Sequence, residues 1–574
     1  MKKNSVTKII LFVLTMVLLF ASVVQKQNGL WSFKPLEGVF EPTPEPKLTF
    51  ETYRTGEYQA HMEPFLKEHF GFREPLIRFY NQFLYDFFKT STNHDIIVGK
   101  DNWLYFIQHV NEYYGTDMYR WYESNEDACK TYDREARLMW KLRHVLKEYD
   151  VDFMVFMAPQ KGFLYPEHLP NRKKDTITVS AREYYSAKFD EYGLPYIEMT
   201  KWFIGIKEAD TLPYSLFPQT GAHWGFSAAL ATDSLMRFMG DLKGINLPKL
   251  QFGPLHESTE KTLKDDHDIE NLANLMRPVK HRYDRLLDAE VSYTVDSATT
   301  QTSATFIGTS FLMRMYYFVP FSEIFPESQY WYYNSTVYYG NDYKRMTTVG
   351  DLDILQRLLE SDYVVWFTEG DQMSKASFGF VENALMELCL SEDRIVEVRQ
   401  RLMDSLSRDE ALLAKYKHLE DLTPKLWEQA SQLMRKNPEH YFPELAGDSL
   451  PTTRNPRIPE ALVIRDIKKD SAWMMNLQCQ TTIHNTTLEQ ILKMEAQNVL
   501  DGRPLMRDEQ NVVSQKAFVE FLVKDMIDEI QKNPELMESI REKAETNGTP
   551  FEEQLEADAR WIVNYKIQQG EIVF

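Results

Sequence analysis

Two short stretches carry side chains able to make and break an ester. In "FIGTSF" (306–311) an apolar run ends at Gly308, Thr309 and Ser310, and "FLMRMYYF" from Phe311 suits the start of a helix. A serine on such a strand-to-helix turn exposes its hydroxyl beside free main-chain N–H groups, so one turn offers a nucleophile and part of an oxyanion hole. In "TGAHW" (220–224), His223 lies in a loop just before the amphipathic run "FSAALATDSLMRFMG". A neutral imidazole there can accept the serine proton and return it to a leaving group. Each stretch also has a plain reading. Gly-Thr-Ser is common turn material, and a loop histidine can hydrogen-bond locally under Trp224.

The elements that must position these residues show as a strand-then-helix rhythm. The helix "DREARLMWKLRHVLKEYD" (133–150) leads into "VDFMVFMAP" (151–159), a continuous apolar run of the kind a strand buried on both faces shows. A helix over 180–192 and a strand at "PYIEM" (195–199) follow, and later apolar runs stand at "ATFIGTSF", "QYWYYN" (329–334) and "DYVVWFTE" (362–369). Apolar strands alternating with helices predict an α/β fold, a parallel sheet covered on both faces, with sites at the carboxyl ends of its strands. Upstream, residues 51–89 read as helical and "VGKDNWLYF" (98–106) as a turn and short strand. The stretch "PQKGFLYPEHLP" (159–170), with Lys161, reads only as a loop.

Bulk properties set limits. A chain of 574 residues with 43% hydrophobic and 26% charged residues is globular and too long for one core. Its net charge of −20 repels nucleic-acid phosphates and anionic lipid surfaces. Three widely spaced cysteines, Cys129, Cys389 and Cys479, exclude a disulfide framework and a thiolate zinc cluster, and no disulfide is expected. No metal or nucleotide motif is present, and no cofactor is expected. "MKKNSVTK" precedes sixteen uncharged, mostly apolar residues from Ile9 to Val24, with no small-x-small cleavage site after them. That pattern favours an uncleaved signal anchor over residues 1–25, which places everything downstream outside the cytoplasmic membrane. Residues 26–50 read as a linker in which the alternate prolines of "FEPTPEPK" (40–47) form a semi-rigid spacer.

Six stretches in this order, "FGFREPLIRFYN", "VGKDNWLYF", "APQKGFLYPEHLP", "TGAHW", "DIENLANL" and "FIGTSF", resemble the alginate O-acetyltransferase-type branch of the SGNH hydrolases, across about residues 50–390. The resemblance implies a three-layer α/β/α domain over 51–395 and an exported enzyme that moves acetyl groups onto polysaccharide hydroxyls through a serine ester. It implies Ser310 as nucleophile, matching the family's Gly-Asp-Ser block, and His223 as base, matching its Asp-x-His-Trp block. It also implies a polysaccharide acceptor and a membrane-embedded protein of the membrane-bound O-acyltransferase type as acetyl source. The chain departs from the pattern twice, with Gly221 where the Asp of Asp-x-His belongs and Thr309 where the Asp of Gly-Asp-Ser belongs. A replacement acid is sought among Asp265, Asp266 and Asp268 of "KDDHDIE" and at Glu369, with Glu369 ranked first because a strand terminus aims its side chains at the site. Gly308, Thr309 and Asn334 are candidates for the oxyanion, and Trp224, Trp331 and Tyr332 for stacking on sugar rings.

Beyond residue 395 the composition shifts to charged, helix-forming stretches. "IKKDSAWMMNLQCQTTIHNTTLEQILKMEAQ" from Ile467 realigns with "IQKNPELMESIREKAETNGTPFEEQLEADAR" from Ile530 at a constant offset of 63. This predicts a helical region, 396–574, containing a duplicated helical hairpin over about 461–500 and 524–563, each with a threonine placed to cap its second helix. The expected activity is O-acetyl transfer. An acetyl-esterase of the same fold and a non-catalytic polysaccharide-binding or assembly protein are the alternatives, the latter suggested by the two missing acids.

Overall fold

The computed structural model describes residues 3–38, 43–115, 126–172, 180–258, 266–279, 285–339, 342–370, 373, 377–416, 419, 421–484, 486–506 and 515–568. The chain forms two compact units, Met1–Leu352 with Ser361–Glu382, and Asp353–Glu360 with Asn383–Phe574.

In the first unit the apolar runs become the middle of a seven-stranded sheet. β1 (Asp152–Ala158) is buried along its whole length, and β2 (Tyr196–Glu198) pairs with it in parallel. β3 (Ala304–Gly308) carries the site serine at its end. β4 (Gln329–Tyr332), β5 (Thr336–Tyr339) and β6 (Asp342–Thr348) follow, then β7 (Tyr363–Glu369), which inserts between β3 and β1. The order is β6-β5-β4-β3-β7-β1-β2. The five strands from β4 to β2 run parallel, as the sequence predicts, whereas the edge pairs β4–β5 and β5–β6 are antiparallel, which the sequence does not foresee. Left-handed φ angles of 48° at Tyr333 and 50° at Asn334 turn the chain straight back after β4, leaving no room for the crossover helix that a parallel partner needs.

Side-chain alternation along the strands divides the core between the two faces. On one face Phe156 and Phe367 stack at 4.7 Å and pack with Trp224 under helices α7 (Met199–Ala209), α8 (Ser227–Lys243) and α10 (Ser310–Phe318). On the other, Trp366 meets Tyr185 of α6 (Ala181–Tyr192), and Tyr185 meets Tyr132 of α5 (Glu126–Lys147). Fully burying each such ring contributes about 1.5–3 kcal/mol, so the strand termini that carry the site are rigidly held. Cys129 is buried and forms no disulfide among the described residues.

Ahead of the sheet stand α1 (Lys3–Asn28), α2 (Phe50–Thr55), α3 (Glu57–Glu68) and α4 (Arg73–Phe88). Residues 7–28 of α1 are long and apolar enough to cross a membrane. The segment after α1 is bonded to the unit and does not stand off as a free spacer. Glu37 N–H donates to Asn274 Oδ1 (2.8 Å), Asn274 Nδ2 donates to the Glu37 carbonyl (3.0 Å), and Arg78 Nη2 donates to the Pro35 carbonyl (2.8 Å). Within "FEPTPEPK", residues 40–42 lie outside the described residues, and Thr43 beyond them is tied back to α3 through the Glu68 carboxylate.

The second unit is helical throughout its described part. α11 (Ile458–Lys469), α12 (Ser471–His484) and α13 (Leu488–Asp501) are followed by α14 (Gln515–Gln531), α15 (Pro534–Asn547) and α16 (Phe551–Gln568). The helix starts at 471 and 488 recur at 534 and 551, the offset of 63 seen in the sequence. Buried Ile467, Leu477, Leu492 and Ala496 correspond at that offset to buried Ile530, Ile540, Leu555 and Ala559. Each copy holds three helices, because Asp470 and Asn533 end the first helix and accept the N–H groups of Trp473 and Leu536 to start the next. Thr487 caps α13 through Gln490 N–H, but in the second copy the Thr549 hydroxyl donates to Gln554 Oε1. Cys389 in this unit is likewise buried and outside any disulfide among the described residues.

Candidate active site

Ser310 is the first residue of α10, two residues past the end of β3. Gly308 closes that strand where β7 comes nearest. A Cβ on it would lie 2.8 Å from Phe367 Cβ, so close strand packing requires glycine here. Thr309 is fully buried, its carbonyl accepting from Tyr330 Oη (2.5 Å) and its hydroxyl donating to the Glu369 carboxylate. Neither residue points a side chain at the solvent side of the serine.

The His223 loop is anchored on three sides. The Lys161 ammonium, fully buried, donates to the carbonyls of Leu104 (2.8 Å), Gln219 (2.9 Å) and Gly221 (2.7 Å). Gln219 Nε2 donates to the Asp101 carbonyl (2.8 Å), which ties the loop to the hairpin Ile96–Val98/Leu104–Phe106. Trp224 Nε1 donates to the Phe311 carbonyl (3.0 Å), and Arg314 Nε to the Trp224 carbonyl (3.3 Å), joining the loop to α10. Lys161, which the sequence leaves as a loop residue, is therefore a structural pin of the site. A buried cation among carbonyls leaves no local spacing signature.

This scaffold brings three of the sequence candidates into one chain of hydrogen bonds. Ser310 Oγ lies 2.7 Å from His223 Nε2, and His223 Nδ1 lies 2.6 Å from Asp268 Oδ2. Asp268 opens the short helix α9 (Asp268–Leu272), and its other oxygen accepts the N–H groups of Ala222 (2.7 Å) and Ile269 (2.8 Å). Burial alone would raise this carboxyl, but the His223 charge and hydrogen bond and the two main-chain donors outweigh it and hold the group below the usual carboxylate range. An ionised carboxylate at Nδ1 keeps the imidazole proton there and leaves Nε2 to accept from the serine hydroxyl.

The strand-end argument favours Glu369 as the acid, yet the structure puts Asp268 at the imidazole and Glu369 against Thr309. Asp266 pairs with Arg314 instead, and Asp265 lies outside the described residues. Trp224 and Trp331 are fully buried, so neither offers a ring to a sugar. Asn334 donates through Nδ2 to the Phe378 carbonyl (3.2 Å) and does not line the pocket over Ser310.

That pocket, of about 680 Å³, is lined around the serine by His109, His223, Phe311, Tyr333 and Glu369. Sequence reasoning missed two of these. Tyr333 lines the pocket beside Ser310, and burial together with the Glu369 charge pushes its phenol up to about 12. Its left-handed φ of 48° is costly for an aromatic residue and marks the position. His109, on the helix Ile107–Tyr114, is 5% exposed and held down to about 3, first by burial and then by the charges of Lys161 and His223. It therefore stays neutral beside the relay.

Comparison with known proteins bears on the same region. Residues 96–323 match the family model described as SGNH hydrolase-like domain, acetyltransferase AlgX. No curated protein sequence matches the chain. Among solved structures it is similar to the O-acetyltransferase domain of Pseudomonas putida AlgJ, at 13% identity over 49% of this chain and 92% of that one, with a TM-score of 0.31. Pseudomonas aeruginosa AlgX matches at 14% identity over 50% and 67% of the two chains, with a TM-score of 0.32. Bacillus cereus PatB1 matches at 14% identity over 50% and 99%, with a TM-score of 0.30. The segment that carries the loop histidine, the acid of α9 and the serine, residues 96–323, belongs to the SGNH hydrolase-like domains of the acetyltransferase AlgX type.

Proposed function

We propose that this chain is an exported, membrane-anchored O-acetyltransferase that acts on polysaccharide hydroxyls through an acetyl ester on Ser310. The observation that carries the reading is the continuous relay Asp268–His223–Ser310, at 2.6 and 2.7 Å, opening into a pocket. Ser310 Oγ attacks the acetyl carbonyl of a donor while His223 Nε2 takes the hydroxyl proton. The proton passes to the departing donor group as the tetrahedral adduct collapses, leaving acetyl-Ser310. A sugar hydroxyl then attacks the ester, gives its proton to His223, and leaves as the acetyl ester while Ser310 recovers its proton.

The absence of acids at positions 221 and 309 speaks for a degenerate binding protein only while no acid reaches the imidazole. Asp268 supplies one. The apolar helix at the N-terminus supports export and anchoring, and an integral membrane protein passing acetyl outward is the donor this placement calls for. The test is intact-mass analysis of the full-length chain with p-nitrophenyl acetate. An acetyl adduct lost in Ser310→Ala is expected, and transfer of the adduct to added polysaccharide, followed by NMR, separates a transferase from an esterase. Adduct formation unchanged in Ser310→Ala would defeat the proposal.

A further inference from the structure

Helices α3 and α4 carry an apolar face that no described residue of the first unit covers. α3 has no buried residue at all. On α4, Asn81, Gln82 and Tyr85 point inward, whereas Leu76, Phe79, Tyr80, Phe83 and Phe87 recur at spacings of three and four and are exposed, Phe87 to 73%. Between the two helices runs a groove of about 770 Å³ walled by Met62, Leu66, Phe70 and Leu76. A continuous apolar face of this kind is covered by something in the working protein.

We infer that this face lies in the interfacial layer of a phospholipid bilayer, an inference that rests on the anchor reading of α1. The occupant follows from continuity with that helix. The turn joining α3 to α4 is clamped to the last turn of α1, since a Cβ on Gly71 would meet the Ser22 carbonyl at 2.1 Å and the Lys26 nitrogen at 2.9 Å. Gln25 fixes the chain's exit, donating to the Trp31 carbonyl (2.6 Å) and accepting from Trp31 N–H (3.1 Å). Trp31 and Phe33 then pack on Phe72, with ring centroids at 6.0 and 5.9 Å. The apolar face therefore begins where α1 leaves its membrane-spanning stretch. Its Phe, Tyr and Trp side chains are those that settle at a bilayer boundary. A net charge of −20 removes attraction to anionic headgroups as the driving force, so apolar insertion does the docking. α4 also supplies Arg73, Ile77 and Asn81 to the wall of the Ser310 pocket, and Arg73 and Ile77 border the groove as well. One helix, about 10 Å across, separates lipid from active site, and acetyl arriving at the membrane surface has only that distance to travel.

The experiment uses the full-length chain in phosphatidylcholine/phosphatidylethanolamine vesicles, with a fluorescent label placed singly on Phe79→Cys, Phe83→Cys, Phe87→Cys, on Leu11→Cys in the anchor, and on Arg237→Cys of the exposed side of α8 as an aqueous reference. Quenching by lipid-borne nitroxide and by aqueous iodide is read for each. The expected result is that the three α4 labels are quenched by nitroxide and shielded from iodide, as the Leu11 label is, with no change when salt is raised. A quenched Leu11 label with iodide-accessible α4 labels overturns the surface and leaves the anchor standing. Shielding of the α4 labels from both quenchers overturns it in favour of a protein cover, a second copy of this chain. If the Leu11 label also escapes the lipid, anchor and surface fall together.

Discussion

The carbonyl oxygen of Asp266 occupies the space that a side chain on Gly221 would need, 2.3 Å from where its Cβ would stand. The position that the family pattern gives to the triad acid is thus filled by the backbone of the segment that delivers Asp268. Gly221→Asp is expected to force the two segments apart and destabilise the protein by about 1–3 kcal/mol, as overpacking does. Asp268→Asn, which leaves the wrong proton on His223, is expected to lower the acylation rate by about 10⁴-fold. The double variant should be no better than Asp268→Asn, as measured by adduct formation and thermal melting. Recovery in the double variant would show that the acid's place on the chain is free, contrary to the packing.

Tyr333 lines the pocket beside Ser310 with its phenol held neutral, a donor available to the oxygen of a tetrahedral adduct. Tyr333→Phe should lower kcat by about 10²-fold with KM little changed, the signature of a donor used in the transition state. An unchanged kcat would reduce the residue to a wall of the pocket.

Glu369 holds the Thr309 hydroxyl and does not touch the imidazole. Glu369→Gln keeps an acceptor for that hydroxyl, so its effect on acylation should be about tenfold or less, well under the 10²–10⁴ that general acid–base assistance contributes. Rates for Glu369→Gln and Asp268→Asn measured side by side check the order.

His109 binds a proton in the folded protein only near pH 3, against about 6.5 when unfolded. Between those values the unfolded state holds more protons, so folding stability falls as pH drops below about 6.5, by about 2 kcal/mol at pH 5 from this group alone. His109→Gln should flatten the loss of stability between pH 7 and 5, read from denaturant midpoints at each pH. A parallel shift of the whole curve would mean that the histidine's charge plays no part.

Much of this architecture was written in local patterns. The largely apolar runs at 151–159 and 362–369 are interior strands because burial on both faces leaves little room for polar alternation. The turn at Ser310 and the loop at His223 were legible for the same reason, as the ends of predicted elements. Asp268 could not be singled out, since it lies 45 residues from its histidine and shares "KDDHDIE" with two other aspartates. Only the tertiary path sends Asp266 to Arg314 and Asp268 to the imidazole. The antiparallel β5 and β6 escaped for another cause. Tyr333 is a poor residue for a left-handed turn, and no propensity predicts one there.

An enzyme that handles activated acetyl groups exposes its own amines to the same reagent. The amine pinned behind the His223 loop is Lys161, whose three N–H bonds each end on a carbonyl, of Leu104, Gln219 and Gly221, with no surface left open to solvent. Enclosed that way, the nitrogen is out of reach of an ester entering the pocket over Ser310. Under the acetyl transfer proposed for Ser310, the cation that shapes the loop is walled off from the reagent, and self-inactivation by N-acetylation is closed off at the residue where it would collapse the site.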